Sequence, residues 1–446
     1  MTASAQRIWQ TGNGLKYTFL GLFALSWWLC CGNFCVSLAV NAVPTLMPLF
    51  LSNHGASNTM IGIVVGTLPA LLNIVLNPIV STASDRTRTR FGRRIPWLMV
   101  TVPLVALSLV FTGWSTRLGG WLAALFPQCN PASSALIMLV IAGLLFQLFN
   151  LLFEPVFYCI ANDVLPAEVR GRVTAAMGIA GTLGGYVVNQ VLVPLAGKYA
   201  AWVFTGVGFV FLLGLSGVCL FVKEGTYPPV DKLASKNRGL NLIKVYVKEC
   251  FGHSIYRWLF LTMALNVASQ VCRTMFYLLF AQKTLGLSLA QYGTVMGMCS
   301  LIAAILFIPA GVVVDKYHPV PVYLVGCLII SAGNVIGYFF IKDFISFFAI
   351  SILVTLTYVL QSASNRPLMM ALLPPMKFGQ FCSANALCFS LALVIANAGG
   401  GVFIDYFGYR AIFVWDFLFT MAGAYAAYRL MQDWQKAGGR NYTVPV

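Results

Sequence analysis

Charge is what this chain has least of. Only 9% of its 446 residues are Asp, Glu, Lys or Arg, while 59% are hydrophobic and the mean hydropathy is +0.83. A soluble domain carries about 25% charged residues, so a water-solvated core of this size is excluded and a bilayer is the natural solvent. Acids are scarcer still, 12 against 28 bases, which leaves a net charge of +16. Nucleic acid is not the implied partner, because no soluble domain carries a basic patch. Membrane chains keep their Lys and Arg in cytoplasmic loops. Only three histidines are present, His54, His253 and His318, all between apolar runs. With no metal-ligand or nucleophile–base spacing, haem, zinc and acyl-transfer chemistry are excluded, and no enzyme, cofactor or metal is expected. Cysteine is not rare, at twelve, but Cys219, Cys299 and Cys327 lie singly in apolar runs and Cys30, Cys31 and Cys35 sit within the first of them. Buried Cys acts as a small hydrophobe, so no disulfide framework is implied. The amino-terminal run from Leu15 is too long and aromatic for a signal peptide, and no small-residue cleavage site follows it.

What is there instead is a series of long apolar runs. About 20 apolar residues cross a bilayer, and backbone groups in lipid must bond internally, so the runs are helices. Twelve spans are expected, at 17–50, 60–83, 95–115, 135–162, 174–197, 200–222, 257–280, 291–314, 321–340, 345–371, 384–405 and 411–430. The first is long enough to bend near Pro44 or Pro48. Placing both termini in the cytoplasm puts 21 of the 28 Lys and Arg in cytoplasmic segments and five outside, as the positive-inside bias requires. Residues 223–256 form the longest polar connector and divide the spans into bundles at 1–222 and 257–446. Within the connector, "LNLIKVYVKECF" reads equally as a helix on the inner leaflet or as a solvated linker.

The halves echo one another. "LPAEVRGRVTAAM" from Leu165 and "LPPMKFGQFCSAN" from Leu373 both run Leu-Pro, four residues, Gly and a polar residue. "SDRTRTR" from Ser84 pairs with "VDKYHPV" from Val314, each setting an Asp and then a base after the second span of its half. Duplicated halves flanking a binding site are a transporter design. Asp85 can accept charge-assisted bonds from Arg86, Arg93 or Arg94, and such pairs can form in one conformation and break in another; the arginines also serve simply to hold the hinge in the cytoplasm.

Three carboxylates fall within spans. Charge at mid-bilayer costs roughly 2.5–3.5 kcal/mol, so each should face a cavity or a partner. Asp405 reads as an interfacial cap or a partner of Arg410, and the role of Asp416 is open. Glu154, in "LLFEPVFY", is the prime candidate for solute and proton, the alternative being a buried structural ion pair with an arginine. Tyr158 lies four residues on, on the same helical face. Arg273 and Arg366 are the two intramembrane cations; Arg366 and Tyr158 each sit eight residues before a proline, in equivalent positions of the two halves. Either arginine serves a solute or a structural ion pair; for Arg366 these are an anionic solute such as a uronate, or Glu154.

These residues resemble the major facilitator superfamily. Gly311, Asp315 and Lys316 resemble its loop signature. Asp85 through Arg94, closed by Pro96-Trp97, resembles the extended form in glycoside–pentoside–hexuronide cation symporters and sucrose–proton symporters, with Ser81 where Gly is usual. The resemblance implies two pseudo-symmetric six-helix bundles that work by alternating access, with Asp85, Arg86, Arg93, Arg94, Asp315 and Lys316 as the cytoplasmic gate. By similarity to melibiose-permease-type symporters, Glu154 and Tyr158 would grip a sugar. Where cation-coupled relatives carry paired aspartates this chain has Asn73 and Asn77, and the family's lysine in span eleven is missing, so a proton is a simpler coupling ion than Na⁺. The expectation is a monomeric inner-membrane (plasma-membrane) transporter moving a small polar solute, a sugar or glycoside, with H⁺. An efflux antiporter for organic solutes and an uncoupled facilitator are the alternatives.

Overall fold

The computed structural model describes residues 8–11, 14–126, 130–225, 247–374 and 377–442. Eleven helices among them are long and apolar enough to cross a membrane. The first bundle's segments are α1 (Phe19–Asn53), α2 (Asn58–Arg86), α3 (Ile95–Leu125), α4 (Pro131–Val164), α5 (Ala167–Val187) and α6 (Val193–Phe221). A π turn at Val188–Leu192 joins α5 to α6 in one run, Glu168–Phe221, of 54 residues. At 1.5 Å per residue that run is about 80 Å long, far beyond the ~30 Å hydrocarbon layer. It breaks at Tyr199, where φ is −120° and ψ 34°, so it supplies two crossings. The remaining helices are α7 (Ser254–Thr284), α8 (Leu289–Tyr317), α9 (Pro319–Phe340), α10 (Phe344–Leu372), α11 (Phe378–Phe407) and α12 (Ile412–Lys436).

Polar residues just outside the apolar runs set the helix ends. Thr18, Ser57, Asn130, Ser288 and Asp343 each cap the helix that follows, the last two in reciprocal capping boxes. The Ser346 side chain and backbone bonds hold the Asp343 carboxyl below its usual range. His318 joins α8 to α9 at φ 75°, its ring stacked on Trp434 at 4.4 Å. Burial and Arg440 push the His318 imidazole below its ordinary pKa, which suits Nδ1 as the acceptor of the Val320 N–H.

Pro44 and Pro48 both lie inside α1, which is helical from Phe19 to Asn53. An otherwise all-helical chain also carries a short antiparallel pair, Trp9–Gln10 with Lys16–Tyr17. The segment 240–251, read equally as an interfacial helix or a solvated linker, falls outside the described residues up to 246, and 247–251 are helical.

The chain forms two compact units, Met1–Ala56 with Leu72–Asp231, and Ser57–Leu71 with Lys232–Val446. In the first, α1 packs on α5 through polar notches: Asn33 Nδ2 donates to the Met177 carbonyl at 2.7 Å and Ser37 Oγ to that of Gly181. In the second, Tyr256, Phe260, Tyr323, Phe381 and Trp434 are core residues. The first part of α2, to Leu71, belongs to this second unit because its backbone lies on α11. A Cβ on Gly62 would sit 2.3 Å from the Asn397 carbonyl oxygen, and one on Gly401 2.5 Å from that of Asn58, so only glycine permits the approach. Leu20, Ile308 and Ile345 are each 76–77% exposed, the surface expected where acyl chains, not water, cover the protein.

Candidate functional site

The arginine-rich hinge between α2 and α3 folds into an ion cluster within the first unit. Arg93 forks onto Asp163 at the end of α4, with Nη2 2.8 Å from both carboxylate oxygens and Nε 3.1 Å from one. Arg94 bonds Asp85 and Ser84 Oγ, and its Nε lies 3.4 Å from Asp163. Arg93 Nη1 reaches Asp85 at 3.4 Å. Two guanidinium groups thus share two carboxylates from different helix ends, the strong planar form of charge-assisted bonding. Arg94 is only 4% exposed, and that burial raises its dependence on these partners.

Glu224, just past α6, completes the cluster from the backbone side. Its carboxylate accepts the N–H groups of Arg93, Arg94 and Ile95 at 2.9, 2.7 and 2.7 Å. These are orphan donors at the start of α3. Gly92 meets the same carboxylate at φ 111°, and a Cβ there would fall 2.6 Å from Glu224 Cδ, so glycine is required twice over. Glu224→Ala should cost about 1–2 kcal/mol, the loss of a strong helix cap. A drop in thermal midpoint of the purified protein, with Glu224→Gln intermediate, is the expected reading.

The structure brings together some of the residues named for a gate and leaves others apart. Asp85, Arg93 and Arg94 come together as proposed. Arg86, on the last turn of α2, is exposed and makes no ion pair among the described residues. The second copy does not repeat the cluster. Asp315 and Lys316 are both exposed; Asp315 makes no ion pair among the described residues, and Lys316 Nζ sits over the Tyr317 ring at 5.2 Å. Asp163 and Glu224 were missed. Their one signal was an acid at each end of an apolar run, next to the loops that carry the bases.

The three intramembrane carboxylates have unlike surroundings. Asp405 caps the start of α2: it accepts from the backbone N and side chain of both Asn58 and Thr59 at 2.6–2.9 Å. Arg410, its expected alternative partner, instead donates to the carbonyls of Tyr338 and Ile341. Asp416 is fully buried and receives Arg273 Nε at 3.0 Å, the Tyr358 hydroxyl at 2.6 Å and the Thr420 hydroxyl at 3.0 Å. Arg273 also donates to Asn334 Oδ1 at 2.6 Å and lies 5.1–5.8 Å from the rings of Tyr277, Phe413 and Tyr358. Its counter-charge is therefore structural. Glu154 differs from both. It is half-buried on α4 beside Pro155, makes no ion pair among the described residues and takes one amide bond, from Asn150 Nδ2 at 3.0 Å.

Tyr158, one turn on, is 44% exposed with its ring 5.5 Å from Phe157. Asn73 and Asn77 lie half-buried one turn apart on α2, and Arg366 is exposed on α10. Among the described residues no group of three or more His, Cys, Asp or Glu is arranged to hold a metal ion.

Membrane-length helices, paired halves and charge confined to helix ends and a few interior carboxylates define a polytopic solute carrier rather than an enzyme. The chain belongs to the Major Facilitator Superfamily, whose profile matches residues 29–319 and 259–440, and it is a secondary transporter. It is 28% identical over 210 residues to solute carrier family 45 member 3 of Mus musculus, a match covering 45% of this chain and 37% of that one. It is 25% identical over 187 residues to the lactose permease of Lactobacillus helveticus, covering 37% of this chain and 26% of that one. The chain thus aligns with well under two thirds of these relatives' length. In fold it is similar to a bacterial homologue of the human lysosomal transporter Spinster, with a TM-score of 0.69 at 15% identity over 93% of this chain and 97% of that one.

Proposed function

We propose that this transporter carries a sugar or glycoside inward together with a proton, by alternating access of two six-helix bundles in the plasma (inner) membrane. Both termini and the arginine-rich hinge would face the cytoplasm. The observation that carries the reading is the contrast among the interior acids. Asp405 is satisfied by four donors and Asp416 by an arginine and two hydroxyls, whereas Glu154 has one neutral amide. A carboxylate held open in this way can hydrogen-bond a solute hydroxyl and take up or release a proton without breaking a salt bridge. The neighbouring Tyr158 ring supplies a face for the apolar side of a pyranose. The distant likeness to a lactose permease supports the solute class, and the amides Asn73 and Asn77 in place of carboxylates support H⁺ over Na⁺.

The test is a thermal-shift screen of the purified protein with sugars, glycosides and lipophilic cations. Protection by a saccharide, at least halved in Glu154→Ala, is expected. Protection by lipophilic cations alone would replace this reading with an efflux antiporter.

A further inference from the structure

The second unit holds a cavity of about 370 Å³ between α7, α8 and α10. Pockets that bind small molecules run from about 300 to 1,000 Å³, so this one, at the small end, has room for a sugar ring. Its wall is unusual for a bundle interior. Three tyrosines, Tyr277, Tyr292 and Tyr358, share it with Arg273, Thr355 and Ser362. Most of these polar atoms have an assigned task. The Tyr277 hydroxyl bonds Ser351 Oγ at 2.8 Å, Tyr358 donates to Asp416, and Thr355 bonds the Ser351 carbonyl. Two do not. Ser362 Oγ has no hydrogen-bond partner among the described residues, and neither has the hydroxyl of Tyr292, although that residue is only 6% exposed and touches Tyr277 and Phe347 through its ring. A buried phenol almost always finds a partner, and the space beside this one is the cavity.

Charge selects among ring-sized ligands. Arg273 is the only charged residue that lines the cavity among the described residues, and Asp416 behind it already neutralises it. A uronate would bring a second negative charge beside Asp416 with no second cation to meet it. A neutral polyol ring suits both the aromatic walls and the spare hydroxyls.

We propose that this cavity is a solute subsite for one uncharged pyranose ring, with Tyr292 and Ser362 as its hydrogen-bonding specificity groups. The assignment rests on the saccharide reading above but on none of the same residues. The test measures binding of methyl β-D-glucopyranoside, methyl β-D-galactopyranoside and methyl β-D-glucuronide to the purified protein and to Tyr292→Phe and Ser362→Ala. Neither substitution removes a bond the fold uses, so the empty variants should melt as the parent does. One of the two neutral glycosides should bind about threefold to tenfold more weakly to Tyr292→Phe, the loss of one neutral hydrogen bond. The glucuronide should bind the parent more weakly than either. Equal glycoside binding by the parent and both variants would mean that water alone serves the two hydroxyls, and would overturn the subsite while leaving the saccharide reading intact. Preference for the glucuronide would overturn it too. Failure of the parent to bind either neutral glycoside would overturn the subsite and the saccharide reading together.

Discussion

Glu154→Gln should abolish solute accumulation while sparing equilibration. In vesicles with an acidic exterior, one proton per solute across about one pH unit stores about 1.4 kcal/mol and supports up to a tenfold inward ratio. The parent should approach that ratio and the Gln variant should stop at unity. The reasoning is chemical. Glutamine keeps the size of the side chain and an amide oxygen to meet the Asn150 Nδ2 that now lies 3.0 Å from Glu154, so helix and pocket survive, but it cannot exchange a proton. Binding weakens by a modest factor, because one carboxylate acceptor becomes a donor. The gradient can no longer do work because no group changes charge with the cycle. Counterflow, in which unlabelled solute outside exchanges with labelled solute inside, separates the two effects: it should persist in Glu154→Gln and be lost in Glu154→Ala. Tenfold accumulation by the Gln variant would remove Glu154 from the coupling step. A parent that never exceeds unity would make the protein an uncoupled facilitator.

The spans were legible because their cause is local. Twenty apolar residues in a row need no partner to be read, and the caps at Ser288 and Asp343 adjoin the runs they end. The break at Tyr199 also has a local signature, since "GKYAAW" interrupts the apolar run with a glycine and a base. Ion partners were not legible, because they depend on which helix ends converge. Nothing in the sequence around Arg93 points to Asp163, 70 positions away. Asp416 and Arg273, 143 apart, were each visible as an expensive charge in a span but not as each other's remedy. The repeat misled in one respect. "VDKYHPV" copies the Asp-then-base pattern of "SDRTRTR", yet it has one lysine and no arginine, so Asp315 has nothing to gather. Spacing makes the two hinges alike, and charge count decides which of them forms a cluster.

Burial also separates the two kinds of polar residue in the second unit. Tyr292 can lose its hydroxyl without disturbing a bond, whereas Asp416 cannot lose its charge. Asp416→Asn should leave Arg273, only 15% exposed at its side chain, without a counter-charge in a low-dielectric bundle. Breaking one side of such a pair costs about 3–5 kcal/mol. Arg273→Met should cost a similar amount, because Asp416 would then rely on the Tyr358 and Thr420 hydroxyls alone and Asn334 would lose the donor at its Oδ1. The double variant, Arg273→Met with Asp416→Leu, removes both charges and fills the space with apolar atoms, which is often neutral. It should therefore be more stable than either single variant, with a coupling energy at the upper end of the 0.5–3 kcal/mol seen between contacting residues. Thermal midpoints of the four purified proteins in one detergent close the cycle. If the two single losses simply add in the double variant, the carboxylate and the guanidinium do not hold one another, and the neutral wall assigned to the α7–α8–α10 cavity would carry a free positive charge instead.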